Sequence, residues 1–306
     1  MTENEKRTLS LLDRRHFLKM AGLGILGTAF PAGFTSCARS DKAGSLPGLS
    51  MQLYTVRNEI AADLPGTLRR LAEIGFTHVE TAFWPEGVSH RDGAAYLKEA
   101  GLNVSSIHAE LAEESVPEML TELAEVYECD RLIWHGWPED PRYRTREGTL
   151  NLVSLYNKVS EYLQSYGLRF GLHNHWWEFR TLEEGITPWE LLHQELNREI
   201  FFQLDIYWVA VAGLDPANII RQLGSRVEML HVKDGPANPD DVSVDEPHEP
   251  MTAVGQGRLD IPEIMKAARE HVRWMVLEMD ETDGDPIALL DQSLQYMLSN
   301  RFAALT

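Results

Sequence analysis

From Leu49 to its end this chain alternates short apolar runs of strand length with stretches of helical period. That is the pattern of successive parallel βα units, and it restricts the fold more than any other feature. Strands are expected at 50–54, 78–81, 103–108, 131–135, 169–173, 200–205, 227–231 and 274–278. Helices are expected at 65–74, 93–100, 145–166 and 188–196, with others opening at Ser115-Val-Pro-Glu118, Asp215-Pro216, Asp260-Ile-Pro262 and Asp285-Pro286. Asp63 precedes the first of them as a cap, with Pro65 in its first turn. In the long helix Leu152, Tyr156, Val159, Leu163 and Tyr166 recur at spacings of four and three, as one buried stripe would. Ile287, Leu290, Leu294 and Met297 do the same in the last helix. Eight units in 49–306 match a closed (β/α)8 TIM barrel and leave no residues for a second domain. A doubly wound open sheet usually carries a Gly-rich phosphate loop after its first strand, and none follows Tyr54. The one long insertion, 235–258, is expected on the catalytic rim as a lid.

The first residues read as an address. Arg14 and Arg15 precede a short apolar stretch from Met20 to Phe34, which resembles a twin-arginine export signal and is too short to span a bilayer. Phe34-Thr35-Ser36-Cys37 is similar to a lipobox, so the mature protein is expected either with lipid on Cys37 or cut near Ala38. Residues 1–36 are thus assigned to a signal peptide, 37–48 to a tether and 49–306 to a catalytic barrel. The expected place is the periplasm or the outer side of an envelope membrane. The formal charge is −19, and residues 1–36 hold five basic but three acidic side chains, so cleavage deepens the acidity. Such a field repels nucleic acid. Two cysteines make no disulfide framework, and the oligomeric state is not readable.

Parallel strands of a barrel all end at one mouth, so residues far apart in sequence become neighbours there. The strand ends are Glu80, His108, His135, His173 with His175, Asp205, His231 and Glu278, which gather five of the 11 histidines. Imidazoles and carboxylates bind divalent metals and move protons. His173, Asp205, His231 and Glu278 end four adjacent strands. Their mixed nitrogen and oxygen donors suit Mn²⁺, Zn²⁺, Co²⁺ or Fe²⁺ better than Mg²⁺. The alternative is a hydrogen-bonded polar cluster without metal, against which stands the repulsion of two crowded carboxylates. Trp134, Trp137, Trp176, Trp177 and Trp208 fall near strand ends four to six, either as core or as platforms for a sugar ring.

Several segments carry a resemblance. They are Met51-Gln-Leu-Tyr-Thr-Val-Arg57, Gly75-Phe-Thr-His-Val-Glu80, Leu172-His-Asn-His-Trp-Trp-Glu-Phe179, Asp205-Ile-Tyr-Trp208, Gly213-Leu-Asp-Pro216, His231-Val-Lys-Asp234, Gly255-Gln-Gly257 and Leu277-Glu-Met-Asp280. In order and spacing the chain resembles the sugar phosphate isomerase/epimerase superfamily, the xylose-isomerase-like barrels. The resemblance implies one divalent metal on His173, Asp205, His231 and Glu278. Related epimerases carry Glu where this chain has His173, which removes a symmetric two-glutamate mechanism. What remains is proton abstraction next to a carbonyl through an enediolate, leading to isomerisation, epimerisation or elimination. Glu278 is the expected base, Glu178 or His175 the second acid or base, and Lys233 a donor to a substrate oxygen or an ion-pair partner of Asp234 or Glu80. Glu80, His108, His135, Trp176 and Trp208 are expected to bind substrate. An exported, acidic enzyme is expected to act on a neutral sugar, keto-sugar or glycoside rather than a sugar phosphate. The rivals are a non-catalytic exported sugar-binding protein, an aldose-ketose isomerase of the hydroxypyruvate type, and the abasic-DNA endonucleases that share the barrel.

Overall fold

The computed structural model describes residues 45–109, 116–136, 140–183, 185–238 and 249–306. The expected signal peptide, Cys37, most of the tether, the Ser115 cap, Trp137 and the middle of the 235–258 insertion lie outside the described residues. Eight parallel strands close into a barrel in sequence order: β1 (Gly48–Gln52), β2 (His78–Thr81), β3 (Asn103–Ala109), β4 (Arg131–Trp134), β5 (Arg169–His173), β6 (Phe201–Asp205), β7 (Val227–Val232) and β8 (Trp274–Leu277). Pairing of Gly48 with Trp274 through Met51 with Leu277 seals the ring.

Around it lie α1 (Arg57–Ala62), α2 (Leu64–Glu73), α3 (His90–Ala100), α4 (Val116–Tyr127), α5 (Arg146–Gln164), α6 (Pro188–Glu195), α7 (Ile206–Val211), α8 (Pro216–Leu223), α9 (Ile261–Ala268) and α10 (Pro286–Ser299). The aspartate caps work as expected. Asp63, Asp215, Asp260 and Asp285 each accept a backbone N–H from the first turn of α2, α8, α9 and α10. On α5, Leu152, Tyr156, Val159 and Leu163 are buried, each contributing about 1.5–3 kcal/mol of apolar burial. Tyr166 is not part of that stripe: α5 ends at Gln164, and Tyr166 stands exposed beyond it. The first strand lies two residues earlier than expected and ends at Gln52, because Leu53–Val56 turns into a 3₁₀ helix when the Gln52 side chain accepts the Tyr54 N–H. The short helix α7 was not expected. It forms because Asp205 ends β6 and caps the following turn through the Tyr207 and Trp208 N–H groups, at 2.9 and 3.0 Å.

Successive inward residues along a strand are two apart. The barrel interior therefore changes character by pairs. Ile133, Phe201, Met229, Trp274 and Val276 form an apolar plug. Gly171 makes room for the Phe201 ring, since a Cβ there would meet it at 2.4 Å. One or two pairs further along the same strands come His135, Gln203 and Asp205, His231 and Lys233, and Glu278. The floor is dry, and the mouth is polar.

Candidate active site

Asp205 uses its two oxygens differently. Its Oδ1 caps α7, while Oδ2 is buried without a hydrogen-bond partner. Asn174 locks the neighbouring strand ends together: its Oδ1 accepts the Asp205 N–H at 3.0 Å. His173 and His175 flank it, their rings 4.8 Å apart. The His173 Nε2 lies 3.9 Å from Asp205 Oδ2. His231, fully buried on β7, directs Nδ1 to within 2.5 Å of Glu278 Oε2 but without hydrogen-bond geometry. Asp205, His231 and Glu278 each present a donor atom within 4.8 Å of the others, and so do His108, His173 and His231.

Three of the four expected ligands, Asp205, His231 and Glu278, are thus grouped, and His173 stands beside them with Nε2 3.9 Å from Asp205 Oδ2. Asp205 Oδ2 and His231 Nδ1 are buried without a hydrogen bond, facing only the Lys233 ammonium at 3.0 Å and Glu278 Oε2 at 2.5 Å, so charged and polar atoms converge there short of full hydrogen bonding. An N/O donor set of this kind fits an intermediate divalent cation. Asp205, His231 and Glu278 would hold it, with His173 as the fourth donor.

Lys233 is the positive charge the chain itself supplies. Its Nζ, 1% exposed, lies 3.0 Å from Asp205 Oδ2, 2.9 Å from Glu278 Oε2 and 2.5 Å from Asp280 Oδ2. Neither Asp234 nor Glu80, the partners weighed from sequence, holds it. Burial opposes its charge, yet Asp205, Asp280 and Glu278 keep the ammonium well above its ordinary value. Burial likewise pushes Glu278 up, and Lys233 and His231 outweigh that to hold it below the usual carboxylate range. It is a carboxylate at neutral pH, as a base must be. Burial lowers His231, but Glu278 and Glu80 raise it to about 10.

Glu178 differs from Glu278 in kind. Its Oε2 accepts the His175 N–H at 2.9 Å, Oε1 has no partner, and burial raises it to about 8. It is protonated at neutral pH. Burial drives both His173 and His175 well below the usual imidazole range, helped by His231 for the first and by Lys233 for the second. His175 stacks on Trp177, with centroids 4.0 Å apart.

Glu80 is not on the substrate face where it was expected. It is fully buried with both oxygens engaged, by Gln52, Ser106, Gln203, His108 and His231. Trp176 and Trp208 are likewise buried, packed on each other with centroids 4.6 Å apart. Trp134 donates to Tyr156 Oη from within the core. His108 and His135 stack at 5.6 Å, with His108 also packed against His231 and His173, and only these two of the expected substrate residues are partly open.

Sequence reasoning missed Gln52, Ser106, Gln203, Asp234 and Asp280. A signal existed for three of them: Ser106, Gln203 and Asp280 stand two residues from His108, Asp205 and Glu278, and so share their inward face. Asp234 holds the base of the long insertion. It accepts N–H groups from Gly235, Gly255, Gly257 and Leu259. A Cβ on Gly257 would lie 2.0 Å from its Oδ1, which is why glycine stands there. Both ends of the expected lid are thereby pinned.

The family model described as xylose isomerase-like TIM barrel matches residues 68–300. The chain belongs to this family. No curated protein matches the sequence. Among solved structures, a sugar phosphate isomerase/epimerase from Parabacteroides distasonis has a TM-score of 0.70 at 21% identity, over 89% of this chain and all of that one. A D-allulose 3-epimerase from Methylomonas sp. has a TM-score of 0.60 at 15% identity, over 83% and 98%. An AP endonuclease, family 2, from Brucella melitensis has a TM-score of 0.59 at 17% identity, over 83% and 99%. At these identities the likeness is one of fold, which differently named enzymes share.

Proposed function

We propose that this xylose isomerase-like barrel is a metal-dependent isomerase or epimerase of a sugar or keto-sugar, which begins by removing a proton next to a carbonyl. The observation that carries the reading is the convergence of donor atoms of Asp205, His231 and Glu278 within 4.8 Å of one another, with Asp205 Oδ2 and His231 Nδ1 buried and making no hydrogen bond. A divalent ion bound there supplies Lewis-acid polarisation, a contribution of several kcal/mol in comparable sites. Glu278 is the base. Lys233, held by Asp280, donates to a substrate oxygen that gains negative charge as the proton leaves. Glu178, protonated at neutral pH, is suited to return a proton. With His173 in place of a carboxylate, the two proton-transfer groups are unlike, so the reaction is not symmetric about the metal.

The carboxylate-rich mouth and the formal charge of −19 favour a neutral substrate and oppose a nucleic-acid phosphate. The test is metal analysis of the purified chain, followed by an NMR screen for solvent deuterium entering aldoses, ketoses and keto-glycosides. Metal in near-stoichiometric amount and exchange lost in Glu278→Gln are expected. Sugar affinity without metal or exchange would instead mark a binding protein, and the proposal would be withdrawn.

A further inference from the structure

Glu80 stands on β2, across the mouth from the proposed ligands, yet it touches one of them. Its Oε1 accepts from Gln52 Nε2 at 2.8 Å and lies 2.5 Å from His231 Nε2 and 3.0 Å from His108 Nε2. Its Oε2 accepts from Ser106 Oγ and Gln203 Nε2, both at 2.5 Å. Gln203 turns its own Oε1 to His108 Nε2 at 2.8 Å. A carboxylate with no exposed surface and five neighbours is not available to a substrate. The backbone is bent to build it. The pairing register shifts between Val79 and Glu80, which sets Ser106 opposite Glu80, and shifts again between Phe202 and Gln203. Bulges of this kind re-aim side chains next to sites.

We infer that Glu80 is a positioning residue for the metal centre: by accepting the Nε2–H of His231 it fixes which imidazole nitrogen, Nδ1, faces Asp205 and Glu278. The two nitrogens of a histidine are distinguished by the hydrogen bond one of them makes. Gln52 Nε2, Ser106 Oγ and Gln203 Nε2 all converge on Glu80 as donors, so the site around it is built for an acceptor and pairs with a His231 nitrogen that carries hydrogen. The stacking of His108 on His231, with centroids 5.3 Å apart and planes at 8°, keeps the ring from turning over. Carboxylates that orient ligating histidines typically change metal affinity about 10- to 100-fold when removed.

The inference rests on the metal reading above, and one set of measurements separates the two. Zn²⁺ titration of the full chain by calorimetry is compared with Glu80→Gln and Ser106→Ala. Glutamine has one acceptor oxygen where five donors converge, so Glu80→Gln is expected to weaken Zn²⁺ about 10- to 100-fold. Ser106→Ala removes a donor from Oε2 and leaves the His231 contact, so its affinity is expected within about twofold of wild type. Equal losses in both variants, or none in Glu80→Gln, would overturn the role of Glu80. If Glu80→Gln does not fold, the ¹⁵N spectrum of the Zn²⁺-loaded wild type decides. Coordination of His231 through Nδ1 with a proton on Nε2 is expected, and coordination through Nε2 overturns the inference while leaving the metal reading intact. A wild type that takes no Zn²⁺, Mn²⁺, Co²⁺ or Fe²⁺ overturns both.

Discussion

The two halves of the barrel mouth are built from the same residue types and satisfied in opposite ways. On the β1–β3 side, the buried Glu80 has each oxygen engaged by donors from Gln52, Ser106, Gln203 and two histidines. On the β5–β8 side, Asp205 Oδ2, His173 Nδ1 and His231 Nδ1 are buried without hydrogen-bond partners. A completed network rigidifies its surroundings, while buried polar atoms left open are expensive and point to a missing partner. The difference teaches that residue type alone does not mark a ligand site. What marks it is unfinished hydrogen bonding around converging charge.

The largest effect that tests this contrast is on chemistry. Glu278→Gln is expected to reduce solvent-proton exchange by about 10²–10⁴-fold, the range of one general base, as read by deuterium incorporation. Asp205→Asn keeps the cap of α7 but loses the charge, so metal affinity falls while the unfolding midpoint of the metal-free protein stays near wild type. A strong loss of stability there would mean that the open half is structural as well. Stripping the wild type with a chelator comes next. At a metal concentration about 100 times Kd, binding contributes about 2.7 kcal/mol, so the thermal midpoint drops by several degrees and returns with Mn²⁺. On the completed half the order reverses: Ser106→Ala is expected to cost about 1–3 kcal/mol in urea unfolding by leaving a buried acceptor short of a donor, with little change in metal affinity.

Asp234→Ala removes the acceptor of four N–H groups and is expected to speed amide exchange at Gly255, Gly257 and Leu259. The smallest effect concerns Glu178. Its folded value of about 8 stands above the ordinary 4.5. The stability it contributes is therefore complete below about 4.5 and lost as pH rises through about 8. Glu178→Gln should flatten that part of the stability profile, as read by urea unfolding across pH 4.5 to 8.

The alternation of apolar runs, the aspartate-proline helix starts and the polar strand ends were legible in the sequence because they are local. Period, caps and chain reversal need only neighbours within a few residues. That His173, Asp205, His231 and Glu278 would stand at one rim was legible too, since a closed parallel barrel brings every strand end there. The hydrogen-bond network decided otherwise for Glu80. It ends a strand, as a substrate residue would, but the register shift beside it and donors from Gln52, Ser106 and Gln203 take up its oxygens. Asp280 and Gln203 escaped notice because the last polar residue of each strand was read and its partner two positions away was not.

The chain's own order of residues determined the barrel and the ring of imidazoles and carboxylates at its mouth, since strand length, helix period and closure are set by near neighbours. Only the tertiary structure decided which of those groups are saturated and which stand open, because hydrogen-bond satisfaction depends on angles and distances between strands far apart in sequence. That Lys233 belongs with Asp205, Glu278 and Asp280, and that Glu80 supports His231, follows from the register at which the sheet closes.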